Sequence, residues 1–492
     1  MTSVTDRPVY EHHNRPSVNT ESAGIATAVP SGPPASLRAN SVRFLGTAAS
    51  AVGIQAPTAG VTFLPALMAG IVGEAGPLTF LLALVAMLLV AYAFVTFSSE
   101  FASAGSVFAF NGRTLGASYG FLSAWLLLAV YVAYSASIFA SNANFLENLA
   151  RSGGISIGWP AFAVLFWVVA LVLAYRRISV STLVIFILEG ISILLVAIVA
   201  VVVVAKGGSG GHGISAAPFT TGGIPLTTIG LGVVFAFTGF SGFEVAATLG
   251  EETRRPRRLI PAAMVTALLV SGGIYIVLSW VETIAFPNPA ALASSSVPLV
   301  DIAGSYVSPA MGRVINVAAL ISGIGAQLAT VNGANRLLFA LSRDGFGPRW
   351  MSRVQRRHGS PVGALAAVGA VSLAATIPFM LNGTSPLDAF FYLATYGADL
   401  IIVTYLMTAA AALVWSIRRR QRSVRRLGGL LAAVLVMGYI IKGTVYPVPA
   451  SPFNLCMYGA GLTIAIGAGF TLIPKLRRDL ARSPSFRLEP TD

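Results

Sequence analysis

Long apolar runs separated by short arginine clusters constrain this chain more than any other feature. The stretch Ile191–Ala205 reads ISILLVAIVAVVVVA, with one serine as its only polar residue. Twelve such segments follow one another, over 43–70, 77–99, 117–145, 158–175, 181–205, 226–250, 259–285, 306–340, 361–381, 386–415, 427–447 and 453–474. A helix of about 20 apolar residues spans the roughly 30 Å hydrocarbon layer of a bilayer. In lipid, backbone N–H and C=O groups must pair within the protein, so these runs are helices. A β-barrel needs short alternating strands, and these runs do not alternate. Several exceed a perpendicular crossing, so tilt or interruption is expected. Composition agrees: of 492 residues, 55% are hydrophobic and 10% charged, against about 25% charged in soluble domains. The expected fold class is an all-α polytopic membrane protein with about 12 transmembrane helices. Its transmembrane domain covers 43–474. A polar tail over 1–42 is expected to be disordered, with no apolar segment of a cleavable signal, and a second polar tail covers 475–492. The single cysteine, Cys456, excludes an intrachain disulfide.

The net charge is +14, which raises the question of nucleic acid. The cations flank apolar runs rather than alternating with aromatics along a face, so nucleic-acid binding is not expected. An even number of spans puts both ends on one side. Placing them inside puts 28 of the 32 Lys and Arg on that side, with only Arg151, Lys206, Arg313 and Lys442 opposite. This bias assigns both termini to the cytoplasm of a cell membrane.

Two spans are interrupted. The first contains Gly53-Ile54-Gln55-Ala56-Pro57-Thr58-Ala59-Gly60. Pro57 has no N–H and clashes with the carbonyl four residues before it. The sixth contains Phe237-Thr238-Gly239-Phe240-Ser241-Gly242-Phe243-Glu244, with two glycines and a carboxylate inside the span. The two spans are five helices apart, so their halves run in opposite orientations. Interrupted helices at matching places in two inverted halves point to a transporter's binding site. Freed amides suit a carboxylate and freed carbonyls an amine, which together suit an amino acid zwitterion.

Gly239-Phe240-Ser241-Gly242-Phe243-Glu244-Val245-Ala246-Ala247, followed by Glu251-Glu252-Thr253-Arg254-Arg255-Pro256-Arg257-Arg258-Leu259-Ile260-Pro261, resembles the sixth-helix signature of the amino acid–polyamine–organocation permeases. Asn335–Gly345 is similar to the motif at the end of their eighth helix, and Ser99-Glu100 before Ala104-Gly105-Ser106 is a looser match. The resemblance covers roughly 40–475. It implies a leucine-transporter-type fold with a 5+5 inverted repeat, over 43–205 and 226–415, plus two extra helices over 427–474. It also implies a substrate site between helices 1, 3, 6, 8 and 10. Members move amino acids, polyamines and related amines, and many couple to protons. This chain departs from the family in its first span, where a Gly-x-Gly pair is replaced by Ala56-Pro57-Thr58-Ala59-Gly60.

Gln55, Thr58, Ala59 and Gly60 are therefore expected at the cargo, with Thr58, Ala59 and Gly60 offering N–H groups, and Thr58 its hydroxyl, to a carboxylate. Ser241, Gly242 and Phe243 are expected to form the unwound part of the sixth span. Phe237 and Phe240 are candidates to close over the cargo, with Tyr134 and, less directly, Tyr131 on the third span. Glu189, Glu244 and Asp399 lie deep inside spans, where ionisable groups mark function. Glu189 and Glu244 are the candidates for a coupled proton. By the resemblance, Glu189 stands where proton-coupled relatives carry a lysine. Glu251 and Glu252 beside Arg254 and Arg255 read as a salt-bridge cluster, and Arg336 as a cation that snorkels or meets an acid. Gly207–Gly213 is glycine-rich but lacks the Lys-Ser/Thr end of a phosphate loop, so a linker is expected. Scattered histidines and one cysteine argue against a metal, and no cofactor or enzyme active site is expected. The expected function is a secondary transporter of amino acids or related amines, working by alternating access and coupled to protons, with the lipid bilayer as its surroundings. A cationic amino acid or polyamine exchanger and, outside the class, a channel or membrane receptor stand as alternatives. The sequence does not address oligomeric state.

Overall fold

The computed structural model describes residues 42–101, 105–175, 178–209, 214–354, 361–421 and 423–481. Residues 1–41, 210–213 of the glycine-rich stretch, Ala104, Arg176, Arg177, Arg356, Arg357, His358, Arg422 and 482–492 lie outside them. The first span is α1 (Phe44–Gln55), α2 (Pro57–Val61) and α3 (Leu64–Val72). There follow α4 (Gly76–Glu100), α5 (Val107–Leu115), α6 (Ala117–Ser152), α7 (Trp159–Tyr175) and α8 (Ile178–Ala205). The sixth span is α9 (Leu226–Phe240) and α10 (Val245–Thr248). Then come α11 (Pro256–Ala285), α12 (Pro289–Ser294), α13 (Pro298–Tyr306), α14 (Pro309–Arg343) and α15 (Val362–Leu381). The last are α16 (Pro386–Arg418), α17 (Val424–Val445), α18 (Phe453–Leu472) and α19 (Pro474–Ala481). The start of the C-terminal polar segment is thus helical. Among the described residues no strand forms, and one isolated bridge joins Val42 to Thr253.

Among the described residues, ten helical stretches are long and apolar enough to cross a membrane. They correspond to ten of the twelve expected segments. The other two are the interrupted first span and α7, whose 17 residues sit at the lower end of what a bilayer requires.

The outer spans bury one stripe, while the interrupted first and sixth are buried all round near their breaks. On α4, Phe80, Ala83, Met87, Val90, Phe94 and Phe97 are buried, while Leu81, Leu82 and Val85 are exposed. The 3–4 residue spacing is that of one helix face. The exposed side is as apolar as the buried one, as a lipid-facing surface is. Small residues let the central helices approach closely. A Cβ at Gly397 of α16 would lie 2.6 Å from the Tyr134 ring of α6, and one at Gly323 of α14 would run into Asn142 of α6. The helices α17 and α18 bury few residues and lie at the periphery.

Candidate substrate site between the interrupted helices

Helix α1 ends at Ala56, whose left-handed backbone (φ 41°, ψ 60°) is unusual for a residue with a Cβ. Pro57 then opens α2 at a position where no N–H is required. The interruption frees backbone groups, and several find partners elsewhere. The Gln55 carbonyl accepts from the Tyr275 hydroxyl of α11 at 2.8 Å. The Thr58 amide and hydroxyl both donate to Glu189 Oε1 of α8, at 3.3 and 3.0 Å. The Ala59 amide donates to Ser322 Oγ of α14 at 3.2 Å, and the Gly60 amide to the Ala56 carbonyl at 2.8 Å.

The second interruption is Ser241–Glu244, between α9 and α10. Gly242 has φ +99°, and a Cβ there would lie 2.6 Å from the Ile54 side chain, so glycine is required twice over. The Gly242 amide donates to the Tyr405 hydroxyl of α16 at 3.1 Å. The Glu244 carboxylate is fully buried and accepts from the hydroxyls of Tyr131, at 3.1 Å, and Tyr405. Tyr134 and Ser241 share a hydrogen bond of 2.8 Å. One link joins the two interruptions directly: Gln55 Nε2 donates to the Phe240 carbonyl at 2.8 Å. Its other amide atom, Oε1, is buried with no partner.

Both interruptions wall one cavity of about 90 Å³, lined by Gln55, Ala59, Gly60, Thr238, Gly239 and Ser241 together with Tyr134, Tyr275 and Ala326. The aromatic group Phe63, Phe390 and Phe391 borders it, with ring centroids of Phe63 and Phe390 4.5 Å apart. The expected residues therefore divide. Gln55, Ala59, Gly60, Tyr134 and Ser241 face the cavity. Thr58 turns to Glu189. Gly242 and Glu244 are bound into the tyrosine network behind the wall. Phe237 and Phe243 pack on the Tyr405 ring, and Phe240 packs on Phe80 and Tyr275. Tyr275, Ser322, Tyr405 and the three bordering phenylalanines are contributors that sequence reasoning missed. A tyrosine hydroxyl inside an apolar span needs a partner, and that signal was available for Tyr275 and Tyr405.

One end of the molecule is clasped. Arg336 Nε of α14 meets Glu252 Oε2 at 2.5 Å, both side chains at most 10% exposed, and Arg343 meets Glu251 at 3.1 Å. The acids following α10 thus engage arginines 84 and 92 residues away, a reach wider than the local cluster expected from Arg254 and Arg255. Beside them, the Val42 amide donates to the Glu252 carbonyl at 3.0 Å, and the hydroxyls of Thr47 and Thr253 lie 3.3 Å apart. Among the described residues, no group of three His, Cys, Asp or Glu is placed to hold a metal ion.

The chain is similar to several transporters. An uncharacterized transporter of Mycobacterium tuberculosis is 32% identical over 205 residues, 41% of this chain and 43% of that protein, so the match spans less than half the length of either. The branched-chain amino acid permease BcaP of Bacillus subtilis is 24% identical over 378 residues, 72% of this chain and 76% of that protein. The low-affinity putrescine importer PlaP of Escherichia coli K12 is 24% identical over 362 residues, 71% and 75% of the two chains. The amino acid permease family model matches residues 43–472, nearly all of the helical domain. With that match, the two interrupted helices and the sixth-helix signature, the chain belongs to the amino acid permease family of the amino acid–polyamine–organocation superfamily and is a multi-pass membrane protein.

Proposed function

We propose that the protein is a secondary transporter that carries an amino acid or related amine across the cell membrane by alternating access, driven by protons. Both termini face the cytoplasm in this reading. The halves 43–205 and 226–415 act as inverted repeats, with 427–474 added. The observation that carries it is the cavity walled by both helix interruptions, lined by Gln55, whose Oε1 has no partner. A buried acceptor without a donor is costly, and a cargo ammonium supplies that donor. The hydroxyls of Tyr134 and Ser241 and the polar wall around Thr238 orient the rest of the cargo. Relatives named for branched-chain amino acids and for putrescine support an amine-bearing cargo without choosing between them.

Glu189 is our candidate for the coupled proton. Its carboxylate holds the amide and hydroxyl of Thr58 at the start of α2. Protonation removes the charge from that tie and loosens α2 from α8. Such a change lets a proton bias one access state over the other. The clasp of Arg336 and Arg343 on Glu252 and Glu251 marks the end that is closed in this state.

Purified protein in liposomes, offered labelled amino acids and amines under an imposed pH gradient, tests the proposal. Saturable uptake with counterflow is expected. Unsaturable flux without counterflow indicates a channel and contradicts it. Glu189→Gln keeps an acceptor for Thr58 but takes up no proton. We expect it to retain counterflow and to lose most gradient-driven accumulation, about tenfold or more. Undiminished pH-driven accumulation removes Glu189 from the proton path.

A further inference from the structure

A second cavity, of about 310 Å³, adjoins the first. Phe235, Thr238 and Thr395 line both. It lies among α9, α16, α17 and α18 and reaches the Pro447–Ala450 turn between the last two. Its walls are largely apolar, with Leu231, Val234, Ile402, Phe453 and Met457 among them. It contains one charged group, Asp399, four residues beyond Thr395 and so on the same face of α16. No side chain or backbone N–H of the described residues pairs with the Asp399 carboxylate. A lone carboxylate at this depth is costly unless a cation meets it or a proton neutralises it.

We propose that this side chamber is a subsite for a primary ammonium at the far end of a cargo's alkyl chain, with Asp399 as its counter-ion. The inference rests on the reading that the central cavity holds the cargo's first amine. Apolar walls suit methylene groups, and a single carboxylate suits a compact ammonium charge. A guanidinium, with five donors in a fixed fork, would leave most of them unpaired here. The shared residues Phe235, Thr238 and Thr395 let one molecule extend from the central cavity into the chamber. The cargo class is then a dibasic amino acid or a diamine. Asp399 acts in choosing it and takes no part in the proton path proposed for Glu189.

Lysine and norleucine, which differ only by the terminal ammonium, are the probes. We expect the unaltered chain in liposomes to take up lysine with a KM about tenfold or more below that of norleucine, the scale of one charged hydrogen-bonded contact. Asp399→Asn, nearly isosteric, should collapse that ratio towards one, while Asp399→Glu preserves it. Ala450→Trp, at the exposed rim, narrows the chamber without touching Asp399 and should raise the lysine KM more than the norleucine KM. A chain that does not favour lysine, or an Asp399→Asn variant that still does, overturns the subsite and leaves the central-cavity reading standing. Absence of saturable uptake of either probe by the unaltered chain overturns both.

Discussion

Arg336→Ala is expected to destabilise the protein by roughly 3–5 kcal/mol, the usual cost of removing one partner of a buried ion pair. Arg336 and Glu252 are nearly sealed from solvent, so the variant strands the Glu252 carboxylate. The damage should reach beyond the pair itself. Glu252 also supplies the carbonyl that holds the Val42 amide, and Thr253 meets Thr47, so the start of α1 loses its anchor with it. Thermal unfolding in detergent measures the loss. Replacing both partners, as Arg336→Met with Glu252→Leu, should recover most of the stability, because paired apolar replacements of buried ion pairs are often neutral or better. Uptake separates stability from gating: the double variant is expected to be stable yet to hold a poor cargo gradient, since its clasped end no longer closes firmly. An Arg336→Ala variant as stable as the parent contradicts the clasp.

Gly60→Ala is expected to abolish most uptake and to lower stability by roughly 2–4 kcal/mol, from overpacking and a broken buried hydrogen bond together. The new Cβ would lie 2.3 Å from the Tyr275 hydroxyl oxygen and 2.8 Å from its ring. Tyr275 has no room to retreat. It is fully buried, stacked on Phe80 at 5.4 Å and set against Phe240 at 5.5 Å, and it donates to the Gln55 carbonyl. Moving it strips that carbonyl of its donor and shifts the wall of the central cavity. Tyr275→Phe removes the atom that clashes hardest. Combined with Gly60→Ala it should cost less than the two single changes added together, a favourable coupling that stability measurements on all four proteins reveal. Strict additivity would contradict the close approach.

The interruptions were legible because their causes are local. Pro57 cannot continue a helix, and Gly242 is the residue type that its backbone requires. The spans were legible because lipid demands continuous apolar helix. What those spans face was not. In a soluble helix the polar side marks solvent, but Leu81 and Phe80 are equally apolar, and one meets lipid while the other meets Tyr275. Hence Gln55, Ala59, Gly60, Tyr134 and Ser241 fall on the cavity, while Thr58, Phe237, Gly242 and Phe243, on the same short segments, turn elsewhere. Long-range partners were equally hidden. Nothing near Glu251 and Glu252 in sequence indicates that arginines of α14 will meet them, and nothing near Ala59 indicates Ser322. The left-handed backbone that Ala56 adopts just before Pro57 was not legible, since alanine does not favour it.

Cargo protection of a cavity-facing thiol tests the central claim most directly. Cys456 is the single native cysteine, so a Cys456→Ser background carries one introduced thiol at a time. Ala326→Cys places it on the cavity wall, and Ala468→Cys, on peripheral α18 and outside that wall, serves as the control. A transported amine at saturating concentration should slow modification of the Ala326→Cys thiol by a small methanethiosulfonate about tenfold and leave the control unchanged. If modification at Ala326→Cys proceeds at one rate with and without every amine that the protein transports, the cargo does not lie between the two interrupted helices.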